Sequence, residues 1–184
     1  MLTAANQLTL LRMLLIPAFV ILVLYGELGW ALIVFVTAGV TDALDGLIAR
    51  RSGQKTSLGA WLDPMADKLL LVTTFVVLTI PGLNLANRLP LWLTICIISR
   101  DVVIVATVAI VNLAIGPRTF RPSIYGKIAT ATYIITAVAA MLFNYLGYHS
   151  AVVDLGVWLS LAITLVSAFH YIWHARRIID APAS

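Results

Sequence analysis

The chain has 184 residues, 61% of them hydrophobic and 11% charged, and its mean hydropathy is +1.01. No soluble domain of this length needs so much apolar surface, whereas about six spans of roughly 20 residues with short connections would fit. The formal charge of +4 fits basic residues gathered in the loops of a membrane protein, so no nucleic-acid partner is expected.

The first apolar run covers about residues 8–25 and is broken by Gly26-Glu27-Leu28-Gly29. Arg12 interrupts its start and no basic stretch precedes it, so a retained helix is expected rather than a cleaved signal peptide. A second run, 30–49, ends in the polar stretch Arg50-Arg51-Ser52-Gly53-Gln54-Lys55. The third, 59–80, stops at Pro81-Gly82 and a polar segment from Asn84 to Arg88. The fourth, 90–115, stops at Gly116-Pro117-Arg118, the fifth runs from Pro122 to about 146, and the sixth covers about 152–174. Gly and Pro at these junctions act as stop signals. The pattern predicts an all-α polytopic membrane protein with six transmembrane helices, forming a single domain over residues 1–184, with no internal repeat. Cys96 lies in an apolar run and reads as a small buried hydrophobe.

Charge sets the expected orientation. With six spans, Arg50, Arg51, Lys55, Arg118, Arg121, Arg176 and Arg177 fall on one side, Arg12 lies near it, and Arg88 lies opposite. The positive-inside rule places that side, with both termini, in the cytoplasm. Trp30, Trp92, Tyr171 and Trp173 stand near span ends as interfacial anchors.

Two strings interrupt the apolar pattern: Asp42-x-x-Asp45-Gly46-x-x-Ala49-Arg50 and Gly59-x-x-x-Asp63-x-x-x-Asp67. They hold half of the chain's eight carboxylates. Ionisable groups at membrane depth are costly and persist where they have work to do. On consecutive antiparallel helices, Asp45 lies about 7 Å below Arg50 and Asp63 about 6 Å below Gly59, with Asp42 and Asp67 each roughly 12 Å deep. Asp45 thus pairs in level with Asp63, and Asp42 with Asp67. The spacings of three and four keep each pair on one helix face.

Four convergent carboxylates cannot all stay ionised without cations, and oxygen ligation suits Mg²⁺ or Mn²⁺. Two ions would leave positions for phosphate oxygens. Gly46 permits close ligand approach, Arg50 offers a planar donor fork to phosphate, and Gly46, Ala49 and Gly59 let the helices approach closely. These features imply a lipid-tailed pyrophosphate reacting at the water boundary. A cation- or proton-coupled transporter is the rival class, and a non-catalytic lipid-binding protein a third.

The strings resemble the signature of the CDP-alcohol phosphatidyltransferase family, D-x2-D-G-x2-A-R-x8-11-G-x3-D-x3-D. Every fixed position is matched, with eight residues between Arg50 and Gly59. The resemblance extends to Asn6-Gln7-Leu8-Thr9-Leu10-Leu11-Arg12, similar to an N-x-x-T-x-x-R lead-in, and to Pro122-Ser123 and Gly126-Lys127. It implies six transmembrane helices, usually a homodimer, and transfer of a phosphatidyl group from CDP-diacylglycerol to an alcohol with release of CMP. By position, it implies that Asp42, Asp45, Asp63 and Asp67 hold the metals and that Asp67 also takes the acceptor proton. It implies that Gly46, Ala49 and Arg50, with Thr56 and the Asn6, Gln7, Leu8 and Thr9 segment, contact the CDP-lipid, beside Gly59. The compartment expected is a bacterial-type inner membrane.

The acceptor is less clearly written. Arg118, Arg121 and Lys127 form a basic cluster on the motif's side, suited to a phosphate-bearing acceptor. Positive-inside charge alone would also explain Arg118 and Arg121. Lys127 reads as deeper, within an apolar run. The lead-in and Asp63-Pro64-Met65-Ala66-Asp67-Lys68 are similar to family members that use glycerol 3-phosphate. Ile97-Ile98-Ser99-Arg100-Asp101 and the stretch from Arg121 to Lys127 are similar to mitochondrial-type members that use phosphatidylglycerol. Arg100 reads equally as an acceptor contact or as half of a buried pair with Asp101. Glycerol 3-phosphate is the preferred expectation. His170 and His174, four apart, read as part of an interfacial belt rather than a metal pair.

Overall fold

The computed structural model describes the backbone of residues 4–52, 57–115 and 123–179, and the side chains of residues 10–41, 68–113, 123–173 and 176. Over the described residues the chain is all-helical: α1 Ala4–Leu24, α2 Leu28–Ser52, α3 Ser57–Thr79, α4 Leu91–Ile115, α5 Ile124–Tyr145 and α6 Ala151–Ile179. Each helix coincides with one apolar run. Among the described residues, Leu91–Leu113, Ile124–Tyr145 and Ala151–Trp173 are long and apolar enough to cross a membrane. Shorter apolar stretches occupy Leu10–Leu24, Leu28–Thr41 and Lys68–Thr79. Large apolar side chains such as Leu14, Ile33, Val105, Leu113 and Phe169 are exposed, as expected where lipid is the solvent.

Contacts cluster into two compact units, Met1–Arg88 with Ala137–Ser150, and Leu89–Thr136 with Ala151–Ser184. In the first, α1 packs on α2 and α3, and α2 on α3. The α1–α2 connection is tight because Gly26 has a φ of 79°, which lets Glu27 N–H reach Leu22 O at 2.8 Å and Gly26 N–H reach Val23 O at 3.1 Å. These two bonds satisfy the last carbonyls of α1 and turn the chain back on itself. The buried stripe of α1 is Arg12, Ile16, Phe19 and Val23; that of α2 is Ala31, Phe35 and Ala38; α3 contributes Leu70, Thr74, Phe75, Val77 and Leu78. The spacings of three and four are those of single helix faces. Phe19 and Phe35 meet with ring centroids 6.0 Å apart, which fixes the register of the α1–α2 hairpin.

A polar latch joins two loops of this unit. Asn87 N–H donates to Asn144 Oδ1 at 2.6 Å, Asn87 Nδ2 donates to Tyr148 O at 2.9 Å, and Ser150 N–H donates to Asn87 Oδ1 at 2.8 Å. Asn87, Asn144 and Ser150 are all buried, so these bonds satisfy backbone groups that water does not reach.

In the second unit α4 packs on α6. Trp92 and Trp158 meet with ring centroids 5.8 Å apart and Arg100 bonds Ser167, so both helices advance in the same direction between the two contacts and run parallel. α5 runs against α6 through hydroxyls. Thr164 donates its proton to Ser160 O, so Tyr133 OH is the donor in its 2.5 Å contact with Thr164 Oγ1. Thr136 donates to Thr132 O, so Ser160 is the donor in its 3.1 Å contact with Thr136 Oγ1. Gly156 completes this face: a Cβ there would lie 2.8 Å from Thr136 Oγ1. Gly156→Val is therefore expected to push α5 and α6 apart and to destabilise by about 1–3 kcal/mol, read as a lower unfolding midpoint in detergent, with Gly156→Ala showing a smaller loss.

Candidate functional site

The motif residues fall on the helices of the first unit. Asp42, Asp45, Gly46, Ala49 and Arg50 occupy the last turns of α2, while Gly59, Asp63 and Asp67 occupy the first half of α3. Asn6, Gln7, Leu8 and Thr9 lie in the first turns of α1. The side chains of all these residues lie outside the described ones, as do Thr56, Arg118 and Arg121 altogether. Their placement on the helices is nevertheless informative. The α2 stripe Ala31, Phe35, Ala38 continues with the same steps of four and three through positions 42 and 45. The α3 stripe Leu78, Thr74, Leu70 continues toward the helix start through positions 67 and 63. The motif positions therefore extend the faces on which these helices are packed.

Arg12 marks the change from apolar to polar on α1. It is fully buried, at 0% exposure, one turn beyond Ile16 on the same stripe. From sequence alone Arg12 belongs near the cytoplasmic loops, with no role at the site. Its phase with Ile16, Phe19 and Val23 was the signal of burial, since a residue seven positions before Phe19 shares its face.

The chemistry of the donor set fits hard divalent cations. Four carboxylates on neighbouring, antiparallel, otherwise apolar helices have few other ways to balance their charge. Among the described residues, which do not include those four side chains, no group of three or more His, Cys, Asp or Glu could hold a metal. The His170 and Tyr125 rings meet with centroids 4.7 Å apart and planes tilted by 51°; the His174 side chain lies outside the described residues.

Two of the basic residues read as acceptor contacts come together in the second unit. Arg100 is 8% exposed; its Nη1 donates to Asp101 Oδ1 at 2.7 Å and its Nη2 to Ser167 Oγ at 2.5 Å. A Cβ on Gly126 would stand 3.2 Å from Arg100 Nη2, so the guanidinium lies against the start of α5. Ser123 caps that helix, its Oγ accepting Gly126 N–H at 3.1 Å. Lys127, next in the chain, is in the first turn of α5 and exposed, rather than deep in an apolar run. Arg100 and Lys127 thus flank Gly126 at one end of this unit. The Arg100–Asp101 pair is real and largely buried, and the guanidinium spends two donors on protein partners. Ser167 was not singled out from sequence; only its place in the small-residue series Gly156, Ser160, Thr164 hinted at contact.

Comparison with known proteins agrees with the motif. The profile of the CDP-alcohol phosphatidyltransferase family matches residues 2–169. A cardiolipin synthase (CMP-forming) of Rattus norvegicus is 34% identical over 97% of this chain and 63% of its own length. A probable phosphatidylglycerophosphate synthase of Mycobacterium tuberculosis is 36% identical over 76% of this chain and 64% of its own. A cardiolipin synthase (CMP-forming) of Streptomyces coelicolor is 40% identical over 60% of this chain and 52% of its own. The chain thus spans less than two thirds of the length of these relatives.

Proposed function

The chain belongs to the CDP-alcohol phosphatidyltransferase family, and we propose that it transfers the phosphatidyl group of CDP-diacylglycerol to an alcohol, releasing CMP. The observation that supports this reading most is the continuation of the buried α2 and α3 stripes through Asp42, Asp45, Asp63 and Asp67. We assign those four carboxylates to one pocket at the cytoplasmic end of the α1–α3 unit, holding Mg²⁺ or Mn²⁺, in two sites. Bound there, the ions would offset the carboxylate charge and polarise the pyrophosphate oxygens.

The residues of the chain do the rest of the work in this scheme. Asn6 to Thr9, Gly46, Ala49, Arg50, Thr56 and Gly59 hold the CDP moiety while the acyl tails remain in lipid. The planar guanidinium of Arg50 suits a phosphate oxygen pair. Asp67 accepts the proton of the acceptor hydroxyl, whose oxygen forms the new bond to the β-phosphorus. The bond from that phosphorus to the CMP oxygen breaks, and CMP leaves with its electron pair. Both termini and the pocket face the cytoplasm of a bacterial-type inner membrane, all six helices span it, and the enzyme acts as a single-domain subunit of a homodimer.

The acceptor proposed is glycerol 3-phosphate, with its phosphate near Lys127, Arg118, Arg121 and Arg100. A second reading, phosphatidylglycerol as acceptor and cardiolipin as product, is favoured by the Arg100–Asp101 pair and by the names of two of the relatives. Purified protein with CDP-diacylglycerol and Mg²⁺ is offered glycerol 3-phosphate, phosphatidylglycerol, inositol phosphate or serine in separate reactions. CMP release with glycerol 3-phosphate alone is the expected result; release only with phosphatidylglycerol selects the second reading. Lys127→Ala is expected to raise the KM for glycerol 3-phosphate about tenfold with kcat little changed. An unaltered KM would remove Lys127 from the acceptor site.

A further inference from the structure

We propose that Arg12 is a positioning residue: the built-in counter-cation of the carboxylate pocket, set against Asp42 across the α1–α2 hairpin. The inference rests on the metal-site reading above only in regarding Asp42 as part of that pocket. Its own support is the register of the hairpin. Phe19 and Phe35 are in contact, and the helices run antiparallel from the tight turn at Gly26. Arg12 is seven residues before Phe19, and Asp42 is seven residues after Phe35. Seven residues are two helical turns, about 10 Å, on either helix, so both positions return to the contacting face at one level. The intermediate steps agree: Ile16 and Ala38 occupy the same stripes one turn earlier and are buried.

A guanidinium at 0% exposure in an apolar bundle is expensive unless an anion and hydrogen-bond acceptors meet it. Asp42 is the acidic position to which the register leads. The pairing also meets a need of the pocket itself. Without divalent ions, four carboxylates in two adjacent turns repel one another. A fixed cation on α1 offsets part of that charge and holds Asp42 in place, so that the α1–α3 unit stays folded before metal binds. An arginine suits this task because it stays charged and directs several donors in a fixed fork.

The test is a double-mutant cycle on unfolding midpoints of the full chain in detergent, with chelator present. Arg12→Met keeps an unbranched apolar stem and removes the charge. It is expected to lower the midpoint by about 5 °C or more in the Asp42 protein and by less than half as much in Asp42→Asn. Arg12→Lys, which keeps the charge, is expected to recover most of the loss. Equal losses from Arg12→Met in both backgrounds would overturn the proposal, since a packing role is indifferent to the charge at position 42. If Arg12→Met does not fold, Arg12→Gln, which also removes the charge but keeps hydrogen-bond donors, compared in the same two backgrounds gives the same decision. A Mg²⁺ titration of the same samples separates this inference from the metal assignment. Mg²⁺ is expected to raise the midpoint of Arg12→Met by more than that of the unaltered protein. Absence of any Mg²⁺ response in the unaltered chain would sink the metal site, while the cycle measured under chelator would still report the Arg12–Asp42 coupling.

Discussion

Asp45→Asn is expected to lower CMP release at least about a hundredfold at a Mg²⁺ concentration that saturates the unaltered protein, with little change in the unfolding midpoint under chelator. Charge decides the outcome. An Asn side chain keeps the size of Asp and one carbonyl oxygen but loses the negative charge that hard cations require. Asp42→Asn and Asp63→Asn are expected to lose CMP release alike, because the two carboxylates at each level would share one set of ions; Asp42→Asn should in addition lower the midpoint under chelator, by depriving buried Arg12 of its anion. Asp67→Asn should also fail, by about 10²- to 10⁴-fold, for an added reason: an amide cannot take the acceptor proton. Raising Mg²⁺ should recover part of the activity of the first three variants and little of that of Asp67→Asn. Near-normal CMP release from Asp42→Asn, Asp45→Asn and Asp63→Asn would refute the metal pocket. Normal turnover by Asp67→Asn would exclude that residue as the base.

Asn87→Ala is expected to be the most damaging change outside the motif, costing about 2–4 kcal/mol of stability. The side chain supplies a donor to Tyr148 O and an acceptor to Ser150 N–H, both at 2.9 Å or less. Alanine removes both and leaves two backbone groups unpaired beside a buried position. The bond from Asn87 N–H to Asn144 Oδ1 would survive, so the latch is weakened rather than erased. Asn87→Asp should be milder toward Ser150 but should lose the donor to Tyr148 O. Unfolding midpoints in detergent for the two variants, and protease sensitivity of the loop at residues 146–150, would measure the effect. A midpoint within one degree of the unaltered chain would show that these bonds do not hold the loops.

The helices were legible because most of the apolar runs end at or near Gly or Pro, and the observed ends fall close to those signals: Tyr25-Gly26, Pro81-Gly82 and Gly147 all follow helix ends. The carboxylate strings were legible because their spacings match helical periodicity, so their helix faces follow from counting alone. The burial of Arg12 was harder to see. A cation four residues from a chain segment of mixed character looks like an interfacial residue until its phase is compared with a partner helix, and that partner is known only once Phe19 meets Phe35. Lys127 went the other way: flanking apolar residues suggested depth, yet it lies in the exposed first turn of a helix capped by Ser123. The Asn87–Asn144 link joins residues 57 positions apart through loop geometry that no local pattern encodes. Likewise Arg100 finds Ser167 across 67 positions.

The hydroxyl contacts between α5 and α6 bear on how the chain is assembled. Thr136 and Thr164 each give their proton to a carbonyl of their own helix, at 2.9 and 2.5 Å, before accepting anything from the neighbour. Either segment could thus partition into hydrocarbon alone with those two groups already satisfied. Lateral docking would then add only the donations from Tyr133 and Ser160, letting insertion and association proceed as separate, individually favourable stages.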